Sequence, residues 1–199
     1  MPSSTSAKRG RPRDAATHQS ILDAANQILS DAGYRGFSIE GVAAKAGVSK
    51  TSIYRRWPSK GALLLDLYMA GMDGAALADL QHLPIRDAFQ RYLSLSVKRL
   101  ENPFWTNTIQ SLVAEAQADP EMADLFRAKV IVPRRESGRI LLQRGIDEGQ
   151  IDSSIDIDIV LDAVFGALWY RLLLGHMPID QRFANALTDQ VFAWIELEK

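Results

Sequence analysis

Lys50, Thr51, Ser52, Arg55 and Arg56 place five polar side chains within seven positions. On one short helix they make an outward face of cations and hydroxyls. Such a face suits nucleic acid, because Arg and Lys reach base-edge acceptors and phosphates while Ser and Thr bond to either. Val48 and Ile53 fall on the inward side of the same helix. Tyr54 is a mixed case, since its phenol can reach a phosphate while its ring packs. Trp57, just before Pro58, reads as an anchor between this helix and the next. Other chemistries lack their residues. The 199-residue chain has no cysteine, which removes disulfides, thiolate metal sites and cysteine nucleophiles. His18, His82 and His176 are far apart and form no HExxH spacing. There is no phosphate-binding glycine loop and no GxSxG elbow. Asp156 and Asp158 point to opposite helix faces and read as charge bias at a helix start. No catalytic residue, metal or cofactor is therefore expected.

The polar face needs a scaffold, and the flanking sequence supplies one. Ile21, Ala25, Ile28 and Ala32, with Leu22 and Leu29 beside them, recur at helical spacing from Asp14 onward. Gly33 suits the left-handed position that ends a helix. Ser38 can cap a second helix carrying Ile39, Val42, Ala43 and Ala46, without a capping box because Gly41 stands at the acidic position. Gly47 is the turn. Ser49 caps a third helix, Lys50 to Trp57, and Pro58 stops it. Ser59 then starts a fourth with Leu63, Leu64, Leu67 and Tyr68. Three helices with a glycine turn before the third match a helix-turn-helix. Charge follows the same division. The formal net charge of −1 hides ten Lys and Arg against four acids in residues 1–60, and the reverse excess beyond. Charge alone leaves two readings open, a module for a polyanion and a solvated face.

The stretch from Phe37 to Lys60, FSIEGVAAKAGVSKTSIYRRWPSK, resembles the DNA-binding segment of the TetR family of transcriptional regulators. The shared pattern is a capping Ser/Thr, an aliphatic-Ala pair, Ala-Gly-Val-Ser, then a Tyr, an aromatic three residues on, and Lys. The resemblance covers about residues 14–65, and Gly10-Arg11-Pro12-Arg13 is similar to the arm before many such domains. It implies phosphate contacts for Ser38 and Lys60, the latter at a helix N-terminus that also attracts anions. It implies base or backbone contacts for Ser49, Lys50, Thr51, Ser52, Tyr54, Arg55 and Arg56. Thr51 departs from the Gly or Ala of many members, which leaves base preference open. Arg11 and Arg13 either enter an adjacent minor groove or belong to a solvated tail.

The remaining sequence predicts an all-α fold with three parts: a disordered basic arm over 1–13, the helix-turn-helix over 14–60, and a helical domain over 61–199, to which the resemblance gives effector binding and dimerisation. Asn102-Pro103 and Asp119-Pro120 are helix starts, and Pro133 predicts a kink or break before a pattern running to about Gly149. Further helices are expected from Ile157 to about Gly175 and from Gln181 to Ile195. Ile159, Ala163, Gly166, Ala167 and Tyr170 form a stripe on a helix that is apolar over much of its circumference. Small Gly166 and Ala167 would let a partner helix approach, and pairing with the stretch 134–148 would give a four-helix homodimer interface. Tyr92, Phe104, Trp105, Phe126, Trp169 and His176 are candidate effector contacts, and each is also an ordinary core residue type. The expected partners are a palindromic double-stranded DNA operator, a second copy and a small-molecule effector, with no membrane. MPSSTSAKRGRPR has no apolar signal region, so a cytoplasmic protein is expected. The functional expectation is a ligand-responsive repressor. The alternatives are a helical interaction protein and an all-α enzyme whose basic N-terminus holds an anionic substrate.

Overall fold

The computed structural model describes the backbone of residues 11–70 and 80–196 and the side chains from Asp14 onward. The arm residues 1–10, and the side chains of Arg11 and Arg13, lie outside the described part. Among the described residues the chain is helical, and its only β pairing is a single antiparallel bridge between Ile151 and Glu196. Two compact units divide between Leu67 and Tyr68, inside the fourth helix.

The first unit holds α1 (Arg11–Gly36), α2 (Ile39–Ala46), α3 (Lys50–Tyr54) and most of α4 (Lys60–Ala70). Helix α1 starts three residues before the expected Asp14. It buries Ile21, Leu22, Ala25 and Leu29, whereas Ala32 in its last turns is exposed. Gly33 has φ 64° and ψ −177°, so its φ is positive but its conformation is not the expected left-handed helical cap. Helical structure resumes to Gly36 across this kink. Ser38 Oγ accepts from Gly41 N at 3.1 Å and starts α2. Gly47 at φ 65°, ψ 31° ends it, in the left-handed region that glycine occupies without strain. Ser49 caps α3 and Ser59 caps α4, each accepting from the backbone N–H three residues on. Helix α3 is shorter than the expected Lys50 to Trp57. Arg56 N and Trp57 N both donate to Ile53 O at 2.9 Å, so the chain keeps turning beyond Tyr54 without forming a further regular turn. Pro58 disfavours helical backbone at Trp57.

The second unit runs α5 (Ile85–Leu100), α6 (Pro103–Ala118), α7 (Pro120–Phe126), α8 (Val132–Asp147), α9 (Ile157–Leu174) and α10 (Gln181–Ile195). Asn102, Asp119, Asp156 and Asp180 cap four of these helices through their side-chain oxygens. Of the kink or break expected at Pro133, a break does not occur, and the helix changes type just before the proline. A π-helical turn, Arg127–Ile131, joins α7 directly to α8, with Val132 N donating to Arg127 O. Widening the coil just before the proline relieves the clash its ring would make with a carbonyl four residues back. Helix α5 lies on α10 through Phe89 and Phe192, whose ring centroids are 5.7 Å apart. Arg144 donates to the carbonyls of Leu80, Gln81 and Leu83 at 2.8–3.0 Å and fixes the entry to α5. Helix α9 buries Ile157, Val160, Leu161, Val164 and Leu168 on one side.

A Cβ at Gly47 would meet nothing within 4 Å, so only the backbone resists substitution there. Gly47→Ala is expected to cost about 1–2 kcal/mol. That lowers Tm by on the order of 5 °C. An unchanged melting curve would refute the requirement for glycine.

Candidate nucleic-acid interface and effector region

The expected recognition residues divide into exposed and engaged groups. Ser49, Lys50, Thr51, Tyr54 and Arg55 are exposed. Ser38, Ser52, Arg56 and Lys60 are half-buried. Ile53 is fully buried beneath α3, as its inward position predicts. The Ser49 and Ser52 hydroxyls lie 3.0 Å apart, and Ser49 Oγ also takes the Ser52 backbone N–H.

Three of the expected cations have partners within the unit. Lys50 Nζ donates to Glu40 Oε1 at 2.9 Å. This hydrogen bond, with the attraction of opposite charges, holds the Lys50 pKa above and the Glu40 pKa below their ordinary values. Both groups are exposed, so the pair contributes little to stability. Arg56 donates to Ser52 O at 3.0 Å and pairs with Asp14 of α1. Lys60 Nζ donates to Tyr34 O at 2.9 Å, with its ammonium 4.0 Å from the centre of the Tyr34 ring. Trp57 is buried, and its Nε1 donates to Asp66 Oδ2 of α4 at 2.7 Å. His18 of α1 stacks on its other side at 5.0 Å. Local sequence patterns do not reveal Glu40 or Asp14 as partners, because they lie ten and forty-two residues from the cations they meet.

The six candidate effector residues form separate groups. Tyr92 is buried and donates to Arg134 O at 2.6 Å. Burial pushes its phenol up to about 12, which keeps it a donor. Phe104 and Trp105 meet edge to face at 4.7 Å, and Trp105 meets Tyr68 at 5.7 Å. The Arg99 guanidinium lies against the Trp105 and Tyr68 rings at 4.1 and 4.5 Å. Phe126 meets Trp169 at 6.1 Å. His176 is exposed and lies 4.3 Å from the Tyr170 ring. Of these six, Trp169 alone lines a 270 Å³ cavity between α8 and α9. The stripe expected to meet a partner is on the surface of α9: Ile159, Ala163, Gly166 and Tyr170 are exposed and Ala167 is half-buried. Leu173 and Leu174 extend it, and Trp194 of α10 is also exposed.

Residues 21–67 match the family model for bacterial regulatory proteins of the tetR family, and residues 83–191 match that for the tetracyclin repressor-like C-terminal domain. The chain belongs to the TetR family. It is a helix-turn-helix transcriptional regulator, and the enzyme and interaction-protein alternatives are not favoured. The transcriptional regulator YdeS of Bacillus subtilis is 28% identical over 95% of this chain and 94% of its own length. The DNA-binding transcriptional repressor TetR of Mycobacteroides abscessus is 30% identical over 92% of this chain and 93% of its own. Among solved structures, the TetR-family regulator SCO0332 is 28% identical with a TM-score of 0.73, covering 89% of this chain and 97% of that one. FadR of Bacillus subtilis, solved with stearoyl-CoA, shares the fold at 17% identity with a TM-score of 0.70, covering 87% and 97%. No described helix of this TetR-family chain is long and apolar enough to cross a membrane.

The contacts separate two neighbouring arginines. Arg56→Ala removes the Asp14 pair and the bond to Ser52 O, and is expected to cost about 1 kcal/mol. Arg55→Ala is expected to stay within about 0.5 kcal/mol of the parent. Urea denaturation of both variants checks this, and equal losses would refute the division.

Proposed function

We propose that this regulator is a ligand-responsive repressor that binds a palindromic operator as a homodimer. The observation that carries the reading is the exposed face of Lys50, Thr51, Tyr54 and Arg55 on a helix-turn-helix. That face presents donors to a major groove, while Ile53 and Trp57 hold the helix from below. Ser49, Ser52 and Arg56 border it, Ser38 and Lys60 contact phosphates, and Arg11 and Arg13 enter the neighbouring minor groove. Domain roles follow the sequence: a basic arm over 1–13, the reader over 14–60 and the effector and dimerisation domain over 61–199.

The homodimer rests on the α9 stripe. Exposed Ile159, at 53%, and Tyr170, at 59%, flank small residues on one helix face. A Cβ at Gly166 would meet nothing within 4 Å, so the subunit itself does not require glycine there. Two copies paired through α9 present two recognition helices to half-sites ~34–36 Å apart. Ligand binding in the second unit acts through α4, the continuous helix that carries Tyr68 at one end and Lys60 at the other. A coupling of about 1–3 kcal/mol suffices to release the operator.

Selection of random and genomic DNA fragments by the purified protein tests the reading. The expected result is a two-fold-symmetric motif, and retention without a motif would refute a specific operator. Arg55→Ala is expected to weaken binding and lower the salt slope by about 1 if it contacts phosphate, or to relax one base position if it reads a base. Lys60→Ala is expected to weaken binding to all sequences alike, with a slope change of about 1. Ala163→Glu is expected to convert a dimer to a folded monomer in sedimentation velocity. A dimer unchanged by that substitution would exclude the α9 stripe.

A further inference from the structure

The cavity between α8 and α9 has a polar end and an apolar end. Its α8 side carries Ile131, at the close of the π-helical turn, and then Arg134 and Arg135. Its α9 side carries Asp162, Phe165, Gly166 and Trp169. These positions follow helical spacing, so each set lies along one face. The helices run antiparallel here, because Arg139 of α8 pairs with Asp158 of α9 while the earlier Arg135 reaches the later Asp162. That pairing places Arg135 and Asp162 at one end, and Ile131 with Trp169 toward the other. Phe165 and Trp169 present two aromatic rings one helical turn apart, and the Phe126 ring lies 6.1 Å from that of Trp169. Arg134 is nine-tenths buried, and its Nη2 lies 3.3 Å from the Tyr68 hydroxyl. Its backbone carbonyl is held by Tyr92. Two guanidinium groups and one carboxylate therefore line a mainly apolar slot of 270 Å³. That volume falls just below the roughly 300–1,000 Å³ of most small-molecule sites, which limits the occupant to a small compound.

We propose that this slot binds a small planar carboxylate, with its ring system between Ile131, Phe165 and Trp169 and its carboxylate at Arg134 and Arg135. A guanidinium presents paired N–H donors that match a carboxylate. A flat ring system matches the aromatic wall. The position was not evident from the aromatic residues alone, since only Trp169 among them lines it. The proposal supplies a ligand class for the effector reading and rests on that reading only for its consequence on DNA.

Titration calorimetry of the full-length protein with 2-naphthoate and its uncharged analogue 2-naphthamide tests it. The expected result is one 2-naphthoate per subunit, with the amide at least tenfold weaker. Arg135→Gln also removes the pairs to Asp158 and Asp162, and is expected to lower 2-naphthoate affinity at least tenfold more than 2-naphthamide affinity, whereas equal losses would mark Arg135 as structural only. Ile131→Trp fills the apolar end and is expected to abolish binding of both, with circular dichroism verifying the fold. Equal affinity for the two probes would overturn the carboxylate assignment. Binding that survives Ile131→Trp would place the ligand elsewhere. Binding of neither probe to protein that still retains its DNA motif would overturn the site and leave the regulator reading intact. Loss of operator binding on adding 2-naphthoate would support the effector role. Tight 2-naphthoate binding with unchanged operator affinity would uphold the site and overturn its link to DNA release.

Discussion

The Trp57 indole is the joint on which helix α3 depends. It is almost fully buried, its ring stacks on His18 of α1, and its Nε1 bonds to Asp66 of α4. A five-residue helix such as α3 has no stability of its own, since nucleation is unfavourable and few hydrogen bonds follow. Its position is therefore set by tertiary contacts. Ile53 supplies the apolar contact within α3, and Trp57 adds a contact to helices on either side in sequence. Pro58 fixes the chain immediately after the indole and helps to end α3. The exposed polar face is consequently a surface held from below rather than a mobile segment with charges on it.

The same unit shows how a basic surface is kept compatible with folding. Arg56 is tied to Asp14 and Ser52, Lys60 to the Tyr34 carbonyl and Lys50 to Glu40. These contacts link α1 to the end of α3, α1 to the start of α4, and α2 to the start of α3. Arg55, next to Arg56, is exposed. Neighbouring arginines thus differ through their surroundings and not through their chemistry. One braces the scaffold, and the other remains available to a polyanion.

In the second unit the corresponding constraint is Pro133. A proline inside a helix usually forces a kink or a break, and here α7 passes into α8 through a π-helical turn just before it. Continuity at this point lets Ile131, Arg134 and Arg135 line one cavity opposite α9. The ion pairs from Arg135 to Asp158 and Asp162, and from Arg139 to Asp158, hold the two helices in register. The adjoining face of α9 leaves Ile159, Ala163, Gly166 and Tyr170 in a continuous stripe that shares Gly166 with the cavity wall. One helix therefore carries a packed side, a cavity wall and an unpartnered face, which explains its apolar character over most of its circumference.

The sequence by itself determined the helices, because the information lies in neighbouring residues. Ser38 and Ser49 cap helices α2 and α3, and Gly47 adopts the left-handed turn between them. Asn102, Asp119 and Asp180 begin helices where their side chains meet free backbone N–H groups. The ordered segment from Phe37 to Lys60 also identified the family, through residue types held at fixed spacing. Tertiary structure alone decided which side chains meet. Glu40 reaches Lys50, Asp14 reaches Arg56 and the Tyr34 carbonyl reaches Lys60 across turns that no periodicity encodes. Tyr92, Trp105 and Trp169 have the same aromatic character in sequence, yet only Trp169 lines the cavity. The difference is physical: capping and periodicity act over a few residues, whereas a pocket is made by surfaces that come together when distant helices pack.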